Sequence, residues 1–198
     1  MSSAKPVCLV LGGGAGIGYS VARRWAKEGH QVNNVSMFLW FIVMIEVVVT
    51  RRGEVSQDVM DKECHPGVVA IAADVTDQVR MEAVVKEVES RFGIIKTLIY
   101  NAGSGVFKKY DSLTVAELEK SFAINTSGLL IAAKLCAPKM IEAGGGVIGI
   151  TGATASLRGK PFTAGFAPAK AAQRMLAQSL ARDLGPQVKS CVCYAGSD

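Results

Sequence analysis

Val7-Cys8-Leu9-Val10-Leu11-Gly12-Gly13-Gly14-Ala15-Gly16-Ile17-Gly18 is the stretch that decides how the chain folds. Five apolar residues make a buried-strand run, the glycines make a turn, and Tyr19-Ser20-Val21-Ala22 opens a helical pattern. Glycines at such a junction let the backbone turn tightly and leave no side chain between the amides and a ligand. A pyrophosphate can then lie against the positive end of the helix. Both spacings, Gly12-x-x-x-Gly16-x-Gly18 and Gly14-x-Gly16-x-Gly18, fit, so Gly12, Gly14, Gly16, Ile17 and Gly18 are the first candidate binding residues. A glycine turn alone is a weak signal. The strand before it and the helix after it are what give it meaning.

Outward from the turn, Ile17 to Lys27 has helical periodicity with Val21, Ala22, Trp25 and Ala26 inward, and Gly29 is placed to end it. A second strand is expected next, at Gln31-Val32. The sequence instead runs through Asn33-Asn34-Val35-Ser36 and an apolar stretch, Met37 to Ile45, before Glu46-Val47-Val48-Val49-Thr50-Arg51-Arg52. This first unit is about half as long again as the roughly 30 residues usual for strand, helix and strand. The apolar stretch is broken by Glu46 and falls short of the about 18 residues of a membrane span. Val43 to Thr50 is therefore assigned the second strand, and residues 33–42 an apolar insertion. Translated intronic sequence would explain such an insertion, and a transcript with these codons in an uninterrupted exon would count against that origin.

Further on the alternation is regular. Strands are predicted at Val68 to Ala73, Thr97 to Tyr100, Val147 to Thr151 and Val188 to Tyr194. Helices are predicted at Gln78 to Phe92, capped by Asp77 with Met81, Val84, Val85 and Val88 inward, and at Val115 to Phe122. Two more follow, Asn125 to Glu142, stopped by Gly144 to Gly146, and Phe166 to Leu184, closed by Gly185-Pro186. Strands alternating with helices at this spacing imply an α/β fold, a doubly wound parallel sheet with helices on both faces and strand order 3-2-1-4-5-6. No repeat or low-complexity linker divides the 198 residues, so a single domain is expected.

Composition narrows the class. The formal charge is +5, but the basic residues are spread along the chain, and no nucleic-acid motif accompanies them. Five cysteines, Cys8, Cys64, Cys136, Cys191 and Cys193, lack zinc-ligand spacing, so no metal is expected and core thiols of a reducing compartment are. No signal peptide precedes the first strand, which leads to the expectation of a cytoplasmic protein without a membrane segment.

Several motifs occur in order: Gly12-x-x-x-Gly16-x-Gly18, Asp74-Val75 after the third strand, Asn101-Ala102-Gly103 after the fourth, Asn125, and Lys170 in the helix after the fifth. Singly, each has a plain structural reading, as cap, turn or surface charge. Together, over Pro6 to about Gly196, they make the chain similar to the short-chain dehydrogenase/reductase family, whose fold is Rossmann-like. The resemblance implies an NAD(P)-dependent oxidoreductase that transfers hydride between a nicotinamide cofactor and a small-molecule carbonyl or alcohol. It implies that Asp74, with Val75, meets the adenine, that Asn101, Ala102 and Gly103 back the sheet and the cofactor ribose, that Asn125 holds a water in a proton relay, and that Lys170 binds the nicotinamide ribose. It also implies a homo-oligomer paired through the helices of 115–142 and 166–184.

The family's Tyr-x-x-x-Lys, counted back from Lys170, puts Phe166 at the tyrosine, and the serine thirteen residues earlier falls on Ala153. Both hydroxyls are missing, and Asn125 and Lys170 remain as the catalytic candidates. Hydride delivery to a carbonyl builds an alkoxide that needs a proton and a polarising donor. Losing a general acid typically costs about 10² to 10⁴ in rate, and losing an oxyanion donor about 10² to 10³. Thr151, Thr154 and Ser156 are the hydroxyls near enough in sequence to stand in for the serine, and a water held by Lys170 and Asn125 is the substitute for the phenol. Impaired activity is the expectation. The alternatives are a non-catalytic nucleotide-binding or partner-binding protein, or a defective product of an oxidoreductase gene.

At the tip of the second strand NAD-selective relatives carry an acid, whereas here Thr50 is followed by Arg51 and Arg52. An arginine there suits a 2′-phosphate, which makes NADP the expected cofactor, with NAD as the alternative. The family usually continues past the sixth strand through a loop over the substrate, so a shortened carboxyl terminus is expected from Gly196-Ser197-Asp198.

Overall fold

The computed structural model describes residues 7–13, 16–28, 46–51, 62 and 68–194, and for 28, 46–51 and 190–194 the backbone alone. Gly14, Gly29, the insertion at 33–42, Arg52, Cys64 and the last four residues lie outside the described set, as does the side chain of Arg51.

Six strands form one sheet: β1 (Val7–Leu11), β2 (Glu46–Arg51), β3 (Val68–Ala72), β4 (Ile95–Tyr100), β5 (Gly146–Gly152) and β6 (Val188–Tyr194). Their spatial order is β3-β2-β1-β4-β5-β6, and every pairing is parallel, in agreement with the order expected from sequence. All five side chains of β1 are buried, as a central parallel strand covered on both faces requires. Val7, Leu9 and Leu11 face one core, shared with α2 (Gln78–Phe92), α4 (Gly128–Glu142) and Ala177 of α5 (Ala167–Asp183). Cys8 and Val10 face the other, where Tyr19, Ala22 and Ala26 of α1 (Ile17–Glu28) pack. Strand order reverses between β1 and β4, so a crevice opens at the carboxyl ends of those strands.

Local chemistry accounts for the helix ends. Asp77 caps α2 by accepting from the Arg80 amide at 2.9 Å, and Met81, Val84, Val85 and Val88 are its buried face, both as expected. Thr114 and Glu117 form a reciprocal capping box at the start of α3 (Val115–Phe122), and Lys108 holds the same glutamate at 2.5 Å.

Some boundaries differ from expectation. β4 begins at Ile95, because Ile95 is buried beside Val7 although the polar Lys96 follows it. β5 begins at Gly146, leaving Gly144 and Gly145, both at positive φ, as the turn. The described part of the second strand starts at Glu46, and 43–45 lie outside the described residues. Asn125 is not the start of an ordinary helix. Residues Ala123–Ser127 form a π turn that joins α3 to α4 without a break in the chain's winding. A single widened turn of five residues is too short for apolar periodicity to mark it off from the α-helices on either side.

Candidate functional site

The glycine turn shows why it must be glycine. Gly12 sits at φ 95°, and a Cβ there would collide with the Ala102 backbone. A Cβ on Gly18 would lie 2.5 Å from the Gly12 carbonyl oxygen. Gly16 has open space where its side chain would be. The first turn of α1 contains no acidic residue, so its amides face the crevice without a competing carboxylate. These features fit the phosphates of a dinucleotide.

Asn101 ties three strand ends together. Its backbone amide donates to the Leu11 carbonyl at 2.8 Å, its Nδ2 donates to the Gly12 carbonyl at 2.8 Å, and its Oδ1 accepts from the Thr151 hydroxyl at 2.9 Å. Beyond β3, Asp74 Oδ1 accepts from the Thr76 amide and hydroxyl at 2.9 and 2.8 Å, which fixes the loop where its carboxylate lines the crevice. Val75 beside it is buried.

The π turn presents Asn125. Its Nδ2 donates to the Ser121 carbonyl at 2.9 Å and to the Ser104 carbonyl at 3.2 Å. Its Oδ1 is buried with no partner among the described residues, 3.3 Å from where a Cβ on Gly103 would stand. Gly103 thus leaves room beside a buried acceptor, as a bound water or ligand hydroxyl requires. Tyr100, fully buried beneath, donates to the Ile124 carbonyl at 2.5 Å and satisfies the widened turn from the sheet side.

Lys170 comes from α5, one turn past Phe166. It is 5% exposed, and its Nζ donates to the Thr151 carbonyl and to Gln173 Oε1, both at 2.9 Å. Burial lowers its pKa from 10.5 to about 8, since desolvation disfavours the ammonium. The Nζ lies 5.9 Å from the centre of the Phe166 ring, close to an aromatic face that has no hydroxyl. Pro168 is accommodated because it falls in the first turn of α5, where no backbone donor is needed.

One crevice of about 1150 Å³ is lined by Gly12, Gly16, Ile17, Gly18, Asp74, Val75, Asn101, Ala102, Gly103 and Lys170, so it gathers nearly all of the sequence candidates. Asn125 reaches it from behind Gly103. Ala153 and Phe166 line it too, at the places where the hydroxyls were missed. Arg51 is placed by its backbone at the carboxyl edge of β2, paired with Ala72. Of the three stand-in hydroxyls, two are removed. Thr151 is committed to Asn101, and Ser156 is buried away from the crevice wall, its oxygen without a partner among the described residues. Thr154 remains on the wall and exposed. Sequence reasoning missed Phe107, Arg158, Lys160 and Gln173, which lie outside any motif. Only the lysine-to-glutamine spacing of three along one helix face could have drawn attention to Gln173. Among the described residues no helix is long and apolar enough to cross a membrane, and no group of residues is arranged to hold a metal ion.

Comparison with known proteins agrees with this geometry. Levodione reductase of Leifsonia aquatica is 32% identical over 165 residues, 83% of this chain and 58% of that protein. The 3alpha-hydroxysteroid dehydrogenase of Mediterraneibacter gnavus is 29% identical over 182 residues, 90% of this chain and 68% of that one. The chain thus spans about three-fifths to two-thirds of these relatives' length. A short-chain dehydrogenase/reductase from Serratia marcescens superposes with TM-score 0.77 at 27% identity, covering 96% of this chain and 72% of the other. A gluconate 5-dehydrogenase from Burkholderia cenocepacia, solved with NADP and tartrate, gives 0.77 at 23% identity over 97% and 71%, a likeness of fold. The model of the family described as short chain dehydrogenase matches residues 6–197. With the glycine turn, the Asn101 tie and Lys170 brought into one crevice, the chain belongs to the short-chain dehydrogenase family.

Proposed function

We propose that the chain is a single dinucleotide-binding domain and works as an NADP-dependent oxidoreductase, interconverting a small-molecule carbonyl and alcohol. The observation that carries this is the shared crevice: the glycine turn at one end, the buried Lys170 and the unpaired Asn125 Oδ1 at the other. Preference for NADP over NAD is supported by Arg51, whose backbone ends β2 beside the strand that leads to Asp74. A guanidinium there would pair with a 2′-phosphate.

When bound, the nicotinamide supplies the hydride. The chain's part is binding, orientation and the proton. The amides at the start of α1 would hold the pyrophosphate, and the Lys170 ammonium, two of whose protons are committed to Thr151 and Gln173, would turn its third toward the ribose and the water beside it. Phe166 can give no proton. A water held between Lys170 and Asn125 Oδ1 is the donor to the developing alkoxide, recharged from the ammonium. Thr154 is the hydroxyl left to polarise the carbonyl oxygen.

A second reading, nucleotide binding without turnover, is favoured by Phe166 and Ala153. Titration with NADPH, followed by its fluorescence, tests what the two readings share, because a folded protein that retains no cofactor overturns both. NADPH oxidation across a panel of carbonyls then separates them. Pairing of two copies through α4 and α5 is supported by Leu130 and Met175, large apolar side chains left exposed on those helices. A monomer in size-exclusion chromatography removes it.

A further inference from the structure

Phe107 is 62% exposed, yet its ring is held in place. It packs onto Gly105, where a Cβ would stand 2.7 Å from it, and its centre lies 5.2 Å from that of Phe166 at an interplanar angle of 47°. The segments carrying the two rings are joined by a parallel bridge between Lys108 and Thr163. The result is a positioned aromatic wall, and Ala153 adds a methyl group in place of a hydroxyl on the same side of the crevice.

The charges around this wall have one sign. Arg158 and Lys160 line the crevice, and neither side chain has a hydrogen bond or ion pair among the described residues. Lys170 adds a third cation. Among the described residues, the one carboxylate lining the crevice is Asp74, which follows β3 at the far side of the sheet. Arg158 and Lys160 sit on the loop after β5, apart from the glycine turn that a cofactor pyrophosphate would occupy. The glycine turn follows β1, whereas Ala153 follows β5, two strand spacings or roughly 10 Å across the sheet. Clefts lined by one charge concentrate ligands of the other.

From the aromatic pair and the unpaired cations together we infer that this half of the crevice is a subsite for a substrate with an aromatic ring and an anionic group beside its carbonyl. The inference rests on the oxidoreductase reading for the ligand's being the substrate. The ring stacks on Phe107 and Phe166, and the anion faces Arg158 and Lys160. Neutral or purely aliphatic carbonyls use only one of the two features.

Calorimetric titration of the full chain, with and without NADPH, tests this with three probes: phenylglyoxylate (ring and anion), acetophenone (ring alone) and pyruvate (anion alone). Phenylglyoxylate is expected to bind about tenfold more tightly than either. Phe107→Ala should weaken it about tenfold by removing the stacking partner. Arg158→Ala with Lys160→Ala should reduce it to the level of acetophenone. All three sites are exposed, and circular dichroism with NADPH titration of each variant verifies the fold. Equal binding of the three probes, no binding of phenylglyoxylate, or indifference to these substitutions overturns the subsite. If phenylglyoxylate keeps its dependence on Phe107 while NADPH fails to bind, the cofactor reading falls and the subsite stands. The reverse pattern removes the subsite alone.

Discussion

One oxygen atom separates phenylalanine from tyrosine at position 166, and the proton economy of the crevice turns on it. Restoring both hydroxyls with Phe166→Tyr and Ala153→Ser should raise kcat for carbonyl reduction by about 10² to 10⁴, the usual range for a general acid. Steady-state kinetics on the double variant checks this, and an unchanged kcat means the proton already arrives by an equally good route. Lys170 adds a pH dependence. Its pKa is depressed to about 8, so the ammonium, which in the proposed function holds the ribose and recharges the water, is lost as pH rises through 8. Carbonyl reduction by the unmodified chain should therefore decline above that pH in a pH-rate profile. The stability effect has the opposite sign. Between about pH 8 and 10.5 the unfolded chain carries more protons at this site than the folded one, so Lys170 makes the fold more stable as pH rises across that window. Sequence revealed Lys170, Phe166 and Ala153, because fixed spacing within a helix and its preceding loop is a property of the chain itself. It could not reveal that Thr151 is committed to Asn101, fifty residues away, since that bond depends on two strand ends meeting.

Elements place these residues, and two of them make predictions of their own. The π turn at Ala123–Ser127 is held from the sheet by the Tyr100 hydroxyl on the Ile124 carbonyl. Removing that donor leaves a buried acceptor unpaired, so Tyr100→Phe should cost about 1 to 3 kcal/mol in denaturant unfolding. It should also weaken NADPH binding, because Asn125 belongs to the same turn. In α1, Gly18→Ala places a methyl group 2.5 Å from the Gly12 carbonyl and should abolish NADPH binding in a fluorescence titration. The strands and helices were legible from apolar alternation and capping residues such as Asp77 and Thr114. The π turn was not, since a single widened turn is too short to carry a period of its own.

For the whole molecule, the sheet order brings residues from 12 to 170 to one edge. That order was readable because parallel strands with helical crossovers admit few arrangements. The aromatic and cationic wall was not readable, since Phe107, Arg158 and Lys160 lie on loops with no periodicity. If the chain is one cooperative domain, thermal unfolding is a single transition, and NADPH at a hundred times its dissociation constant should add about 2.7 kcal/mol. Calorimetry with and without NADPH checks both.

Asn101 gives the two ends of the crevice a common strut. From the Gly12 carbonyl the bonds run through the Asn101 amide to the Thr151 hydroxyl, and from the Thr151 carbonyl to the Lys170 ammonium. In the proposed function, phosphates seated on the first loop would restrain the tip of β1 and, through this linkage, steady the cation assigned to the ribose. One half of such a cofactor would thereby ready the place of its own far end before that end arrives.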